Sequence, residues 1–304
     1  MKILITGASG FFGKSLINAL EKTANNFECI GVCKSTSLQF TDVRFRSINC
    51  DLLNIDAITK LIDDVNPTHL VHLAWYVTPN KFWEAKENID WLHTSIKLFQ
   101  KFCENNGQVF VGAGTLAEYD WSNGVLDEEK THIKPSALYG QSKKSLHEII
   151  LCIKRSYGYK TKIIWPRIGY FFGCNEPREK LISKIIYNLK QNSPIELASP
   201  KLKRPYADVK YFGQIVNKLI IMNELQDLTF NMSTSVSYTL KEIVDFIKQN
   251  LCQTFSEINY NSCQALPVEL LVKTECLRGL GIEIPNTFFE DLKLVLEKNR
   301  NLTN

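Results

Sequence analysis

Tyr139 and Lys143 stand four residues apart in the run from Pro135 to Glu148, PSALYGQSKKSLHE. On a helix that spacing puts both side chains on one face, one turn apart. Helix is the predicted state: Pro135 and Ser136 suit a first turn, and Leu138, Leu146, Ile149 and Ile150 recur at helical spacing. A lysine ammonium beside a phenol favours the phenolate. A tyrosine that starts near about 10 must fall by roughly 3 pKa units to trade protons near neutral pH, about 4 kcal/mol of differential stabilisation. Such pairs also occur on solvated helix faces, so their meaning depends on the rest of the chain.

A second constellation opens the sequence. Lys2 to Thr6 reads as a short buried strand, Gly7-Ala8-Ser9-Gly10-Phe11-Phe12-Gly13 as a glycine turn, and Lys14 to Leu20 continues at helical period. Strand, glycine turn and helix form the setting of a dinucleotide-binding fingerprint: glycines allow close backbone approach, and the helix N-terminus faces the pyrophosphate. This makes Gly7, Ser9, Gly10, Phe11, Phe12 and Gly13 candidate cofactor contacts. The second strand, Phe27 to Cys33, ends in Cys33-Lys34-Ser35, where a carboxylate would otherwise hold the ribose 2′-hydroxyl. Lys34 instead offers a cation to a 2′-phosphate, with Ser35 and Thr36 as further donors.

The elements that must position these residues follow in order. Val43 to Cys50 is predicted as a third strand, with Asp51 and Leu52 placed to meet the adenine edge. Asn54 to Val65 is amphipathic. His69 to Ala74 is a fourth strand, with Leu73, Ala74 and Trp75 where the cofactor would pass. Asn88 to Asn105 is a long helix, Gln108 to Ala113 a fifth strand with Thr115 at its carboxyl end, and Lys162 to Ile168 a sixth that carries Pro166 and Arg167. The alternation implies an α/β, Rossmann-like, doubly wound parallel sheet with ligands at the carboxyl ends of its strands. Residues 1–170 are the expected NADP-binding domain. Residues 171–304 are the expected smaller C-terminal substrate-binding lobe, with about 206–235 returning to the first domain.

Composition excludes several classes. The 304 residues are 44% hydrophobic and 22% charged, with a net charge of +4, which argues for no nucleic-acid or membrane partner. The apolar runs are shorter than a bilayer needs, and the start reads as a buried strand, not a signal peptide. Nine cysteines without a C-x-x-C pair fit free thiols in a reducing cytoplasm and no metal site.

Taken together, GASGFFG, His72-Leu73-Ala74-Trp75, Thr115 and Tyr139-x-x-x-Lys143 resemble the extended short-chain dehydrogenase/reductase family, and more narrowly its nucleotide-sugar epimerase/dehydratase/reductase branch. Arg167 with Phe172-Gly173, Lys203 to Val209, and Phe230 to Ser233 followed by Tyr238 to Glu242 resemble its later motifs, and GTLAEYDW resembles bacterial deoxysugar 4-ketoreductases. The resemblance implies Tyr139 as general acid/base, Lys143 as the group that lowers its pKa and binds the nicotinamide ribose, and Thr115 as a hydrogen-bond partner of the same substrate oxygen. It implies Arg204, and Arg167 as a weaker candidate, at the diphosphate of a nucleotide sugar; a structural ion pair is the other reading of Arg167. Glu118 is open between substrate contact and a strand-end salt bridge. The aromatic loop Trp75, Tyr76, Phe82 and Trp83 is open between packing and sugar contact, and His72 reads as buried structure.

A 4,6-dehydratase of the family carries Asp-Glu after its threonine, where this chain has Leu116-Ala117; a 3,5-epimerase/reductase would want a cysteine near Thr115. The resemblance therefore implies an NADPH-dependent 4-ketoreductase of a nucleotide-linked (dTDP, CDP, GDP or UDP) 4-keto-6-deoxyhexose, serving surface polysaccharide. The alternatives are a 4-epimerase with bound NAD and a non-catalytic NADP-binding regulator. A homodimer through the helices 88–105 and 135–156 is expected.

Overall fold

The computed structural model describes residues 1–35, 38–222, 226–251, 258–261 and 267–301; Thr36 lies outside them. They divide into two compact units. The first comprises Met1–Tyr119, Ile133–Ile168 and Phe212–Phe230; the second comprises Asp120–His132, Gly169–Tyr211 and the chain from Asn231. The first unit's main run ends at Ile168, and the chain rejoins it from Phe212 to Phe230. The excursion of residues 120–132 into the second unit has no mark in the sequence.

The first unit is built on β1 (Lys2–Thr6), α1 (Phe11–Glu21), β2 (Glu28–Cys33), β3 (Phe45–Asn49), α2 (Ile55–Val65), β4 (His69–His72), α3 (Glu87–Glu104), β5 (Val109–Gly112) and β6 (Gly114–Thr115). After β7 (Val125–Leu126) of the excursion come α4 (Leu138–Tyr157) and β8 (Lys162–Ile168). The second unit adds β9 (Tyr170–Phe172), α5 (Leu181–Lys190), β10 (Ile195–Leu197), β11 (Lys203–Arg204) and β12 (Tyr206–Asp208). The chain then runs through α6 (Lys210–Ile220) and β13 (Leu228–Met232), and on to β14 (Tyr238–Thr239), α7 (Leu240–Leu251), β15 (Ile258–Tyr260), β16 (Leu271–Val272), α8 (Glu275–Gly279) and α9 (Phe288–Asn301).

The main sheet runs in the order β13-β8-β5-β4-β1-β2-β3, with β6 also on β8. The pairs β1–β2, β1–β4, β2–β3, β4–β5, β5–β8 and β6–β8 are all parallel. Ile3, Leu4 and Ile5 and all four residues of β4 are buried, as continuous apolar strands covered on both faces must be. Pro166, which has no N–H to give, lies in the gap on β8 between the β5 ladder, ending at Ile164, and the β6 ladder, starting at Arg167. One core cluster contains Leu4, Ile30, Ile62, Leu98, Phe99, Phe110, Ile150 and Trp165. The second unit has a core of its own around Phe172, Ile185, Ile243, Ile247 and Leu292.

Two element ends differ from expectation for identifiable reasons. β4 stops at His72: the Leu73 N–H is shared between the Thr6 carbonyl (3.2 Å) and Thr6 Oγ1 (3.1 Å), and the Ala74 N–H turns to Thr6 Oγ1 (3.3 Å). α4 starts at Leu138, three residues after Pro135, where Glu84 Oε2 accepts from the Leu138 N–H at 3.2 Å and satisfies one of the helix's free donors.

Candidate active site

The turn after β1 brings backbone close to backbone. Gly7 has φ +68°, and a Cβ there would sit 2.9 Å from the Ala74 nitrogen; one at Gly13 would meet the Gly7 carbonyl at 2.4 Å. Gly10 caps α1 without a side chain, and the first turn holds no acidic residue, so the positive end of the helix is left to an anion. Asp51 and Lys34 follow the adjacent ends of β3 and β2. They pair with each other at 3.2 Å, with Lys34 70% and Asp51 48% exposed. Leu52, expected at the adenine, is buried in the core.

The chemistry-bearing residues meet where β6 and the following 3-10 turn, Leu116–Glu118, pack on α4. Gly140 permits the approach: a Cβ there would lie 2.3 Å from the Ala117 carbonyl oxygen. Next to it on the helix stands the Tyr139 phenol, close enough to the Thr115 hydroxyl to be influenced by it. Thr115 is held in turn, because its Oγ1 accepts from the Ala117 N–H at 3.2 Å and its own N–H donates to Glu118 Oε1 at 2.9 Å. Lys143, one turn on and 3% exposed, places its ammonium 3.6 Å from the centre of the Trp75 ring.

The charges differ from expectation. Burial pushes the Tyr139 phenol up to about 12, against the pull of the Thr115 hydroxyl. Burial also pushes the Lys143 ammonium down to about 7, against the attraction of the Glu118 carboxylate. Lys143 therefore does not bring the phenol toward neutrality in this structure. Loss of water makes charge expensive on both groups, and the lysine is the one that sheds its proton first. His72 is buried structure, as read. Its Nδ1 lies 2.8 Å from Thr6 Oγ1 and its Nε2 2.8 Å from Ser95 Oγ. Because Thr6 Oγ1 already accepts two N–H groups, its proton goes to Nδ1, leaving Nε2 as the protonated nitrogen. Burial, with Lys143 nearby, pushes the imidazole down to about 3.

Both open readings at Glu118 and Arg167 close on each other. Arg167 Nε donates to Glu118 Oε2 at 3.0 Å, Arg167 Nη1 to the Tyr119 hydroxyl at 2.9 Å, and Trp165 Nε1 to Glu118 Oε1 at 3.1 Å. The pair is buried, so burial pushes the Glu118 carboxyl up while Arg167 and the N–H donors pull it back. Arg167 thus makes the structural ion pair that was one of its two readings, together with a bond to Tyr119.

A sequence profile of the NAD dependent epimerase/dehydratase family matches residues 3–220. The chain belongs to that family. Its members are extended short-chain dehydrogenase/reductases that act with NAD(P) on nucleotide sugars. GDP-6-deoxy-D-talose 4-dehydrogenase of Aggregatibacter actinomycetemcomitans is 25% identical over 275 residues, 90% of this chain and 85% of that protein. dTDP-4-dehydro-6-deoxyglucose reductase of Escherichia coli is 23% identical over 265 residues, 82% of this chain and 81% of its own. Other curated relatives are longer, and the chain spans only 31% of a trifunctional Arabidopsis thaliana enzyme and 48% of a Dictyostelium discoideum dehydratase. The UDP-glucose 4-epimerase of Thermotoga maritima, solved with UDP-glucose, has the same fold over the whole of both chains (TM-score 0.86, 19% identity).

For an epimerase/dehydratase family member the cradle of Gly7, Gly10 and Gly13 fits a dinucleotide, since side chains at Gly7 and Gly13 would fill the space that the backbone needs. Arg204 belongs to the second unit. It is buried, Nη1 donating to the Lys203 and Val268 carbonyls (2.7 and 3.2 Å), and its charge pulls down the Tyr170 phenol that burial pushes up. Sequence reading missed Asn88 as a structural pin. Its Oδ1 accepts from Trp75 Nε1 at 2.8 Å, a contact that thirteen residues of separation hide.

Proposed function

We propose that the protein is an NADPH-dependent 4-ketoreductase of a nucleotide-linked 4-keto-6-deoxyhexose, making an activated deoxysugar for surface polysaccharide. The observation that carries this reading is the Thr115–Tyr139 pair: a half-buried phenol, held protonated at neutral pH beside a hydroxyl. A protonated phenol is the form that reduction needs, because the C4 oxygen must receive a proton as it becomes an alkoxide. A reduced dinucleotide held at the glycine turn by its pyrophosphate would supply the hydride to C4. Tyr139 gives the proton, Thr115 orients the same oxygen, and Lys143, pushed down to about 7, exchanges protons readily at neutral pH to restore the phenol. Leu116 and Ala117 are buried and apolar, and Glu118 is held by Arg167, so the carboxylates that would move protons at C5 and C6 in a dehydration are not supplied by this turn.

In the same reading Arg204 grips the diphosphate. Its guanidinium, buried without a carboxylate partner among the described residues, supports that role. A homodimer through α3 and α4 is supported by the exposed Ile89 and Ile149 on those helices. The seven described cysteines are all free, which supports a cytoplasmic location. One observation favours the second reading, a 4-epimerase with retained NAD: Asp51 beside Lys34 offsets the cation that would attract a 2′-phosphate.

Incubation with NADPH and a panel of dTDP-, CDP-, GDP- and UDP-linked 4-keto-6-deoxyhexoses, with NMR of the product, tests the proposal. Stoichiometric NADPH oxidation with a new 4-hydroxyl is expected. Interconversion of 4-epimers without net NADPH loss would replace it by the epimerase, and inertness toward the whole panel would end it.

A further inference from the structure

The segment that leaves β4 is pinned to both chemical residues of α4. Trp75 is 9% exposed, and its indole N–H is donated to Asn88, which is fully buried. The same amide spends its Nδ2 hydrogens on the carbonyls of Phe82 (2.7 Å) and Ala85 (2.9 Å). One side chain therefore fixes the edge of an indole and closes the 3-10 turn Phe82–Glu84. From that turn the rings of Phe82 and Trp83 stand edge-on to Tyr139, with centroids 4.9 and 5.9 Å away. Glu84 from the same turn caps α4 at Leu138. The indole face that Asn88 fixes is the one beneath the Lys143 ammonium.

We propose that Asn88 and Trp75 are positioning residues of the catalytic helix, the indole face holding the Lys143 ammonium and the Asn88-closed turn holding the Tyr139 ring. The proposal rests on reading Tyr139 and Lys143 as the acid/base pair. An ammonium over an aromatic face is attracted by the ring quadrupole, most strongly where water is excluded. The pin gives that attraction a fixed direction, because an indole tied at Nε1 cannot turn its face away. The other groups that bear on Lys143 are Glu118 from the 3-10 turn after β6, His72 from β4, which is neutral, and Tyr139 on its own helix. Of these Glu118 alone also favours the charged lysine, so the ring and one carboxylate together oppose burial.

The test reads the amine directly. Full-length protein labelled at lysine 13Cε is titrated by NMR, with the Lys143 signal assigned by its absence from Lys143→Met. The wild-type signal should be ring-current shifted and titrate well below the other lysines. In Trp75→Leu the ring-current shift should vanish and the midpoint move acid by about one pH unit, since the protonated form loses its support. Trp75→Phe, which keeps a ring face, should move less than half as far. Asn88→Asp, which keeps the acceptor for the indole and loses both donors to the turn, should preserve the lysine shift while lowering kcat at least tenfold at unchanged KM for NADPH. A Lys143 signal without ring-current shift, or a midpoint equal in wild type and in folded Trp75→Phe and Trp75→Leu, overturns the proposal. These titrations need no turnover, so the contact can hold even if no keto sugar is reduced, and that result would count against the ketoreductase reading alone.

Discussion

Replacing Lys143 by methionine should make the protein more stable while abolishing turnover. Each pKa unit corresponds to about 1.36 kcal/mol, so holding a lysine of ordinary value 10.5 at about 7 costs the folded state about 4 kcal/mol at pH 7. Methionine keeps most of the stem volume and a favourable sulfur contact with the Trp75 ring, but loses about 1–2 kcal/mol of cation–π attraction. The net expectation is a gain of about 2–3 kcal/mol at pH 7. The sign of its pH dependence follows from which state holds the proton. Between about 7 and 10.5 the unfolded chain keeps the lysine protonated and the folded chain does not, so wild-type stability rises with pH across that window. The variant has no such slope, and the gap between the two should close by about pH 10. Urea denaturation followed by far-UV circular dichroism at four pH values from 7 to 10 measures it. Other groups titrate alike in both proteins and cancel in the difference. A variant less stable at pH 7, or a gap that stays flat with pH, refutes the reasoning.

Tyr139→Phe should lower kcat by at least ~100-fold with NADPH binding largely intact, because only the proton donor is removed; steady-state kinetics with calorimetric cofactor titration decides it. Arg204→Ala should mainly raise KM for the nucleotide sugar, and a fall in kcat at constant KM would assign the residue another task. Glu118→Gln leaves Arg167 as an unpaired buried charge and should cost about 3–5 kcal/mol in denaturation experiments, part of it recovered in the double variant with Arg167→Met. Lys34→Ala should weaken NADPH by roughly 5- to 30-fold and NADH little. Tighter NADH binding by the wild type would shift the balance to the epimerase.

The sequence by itself determined β1 to β5, β8 and α1 to α4 to within a few residues, because buried parallel strands are largely apolar runs and the first turn carries glycine. β1 and β8 were legible to the residue, and so was the order of motifs that marks the family. Gly13 of the fingerprint was legible for a similar reason, since its close contact with the Gly7 carbonyl lies within one strand–turn–helix unit, whereas Gly7 is packed against Ala74 from beyond β4. The tertiary structure alone decided what depends on distant partners. Arg167 and Glu118, 49 residues apart, each had a plausible substrate role until the fold paired them. The pairing of Asn88 with Trp75 carried no signal, since a hydrogen bond between an amide and an indole needs no spacing rule. The protonation of Tyr139 and Lys143 also depends on the fold, because i, i+4 spacing reports proximity and not solvation. Burial comes from every element packed around the pair, and it is burial that keeps the phenol protonated and brings the lysine near neutrality.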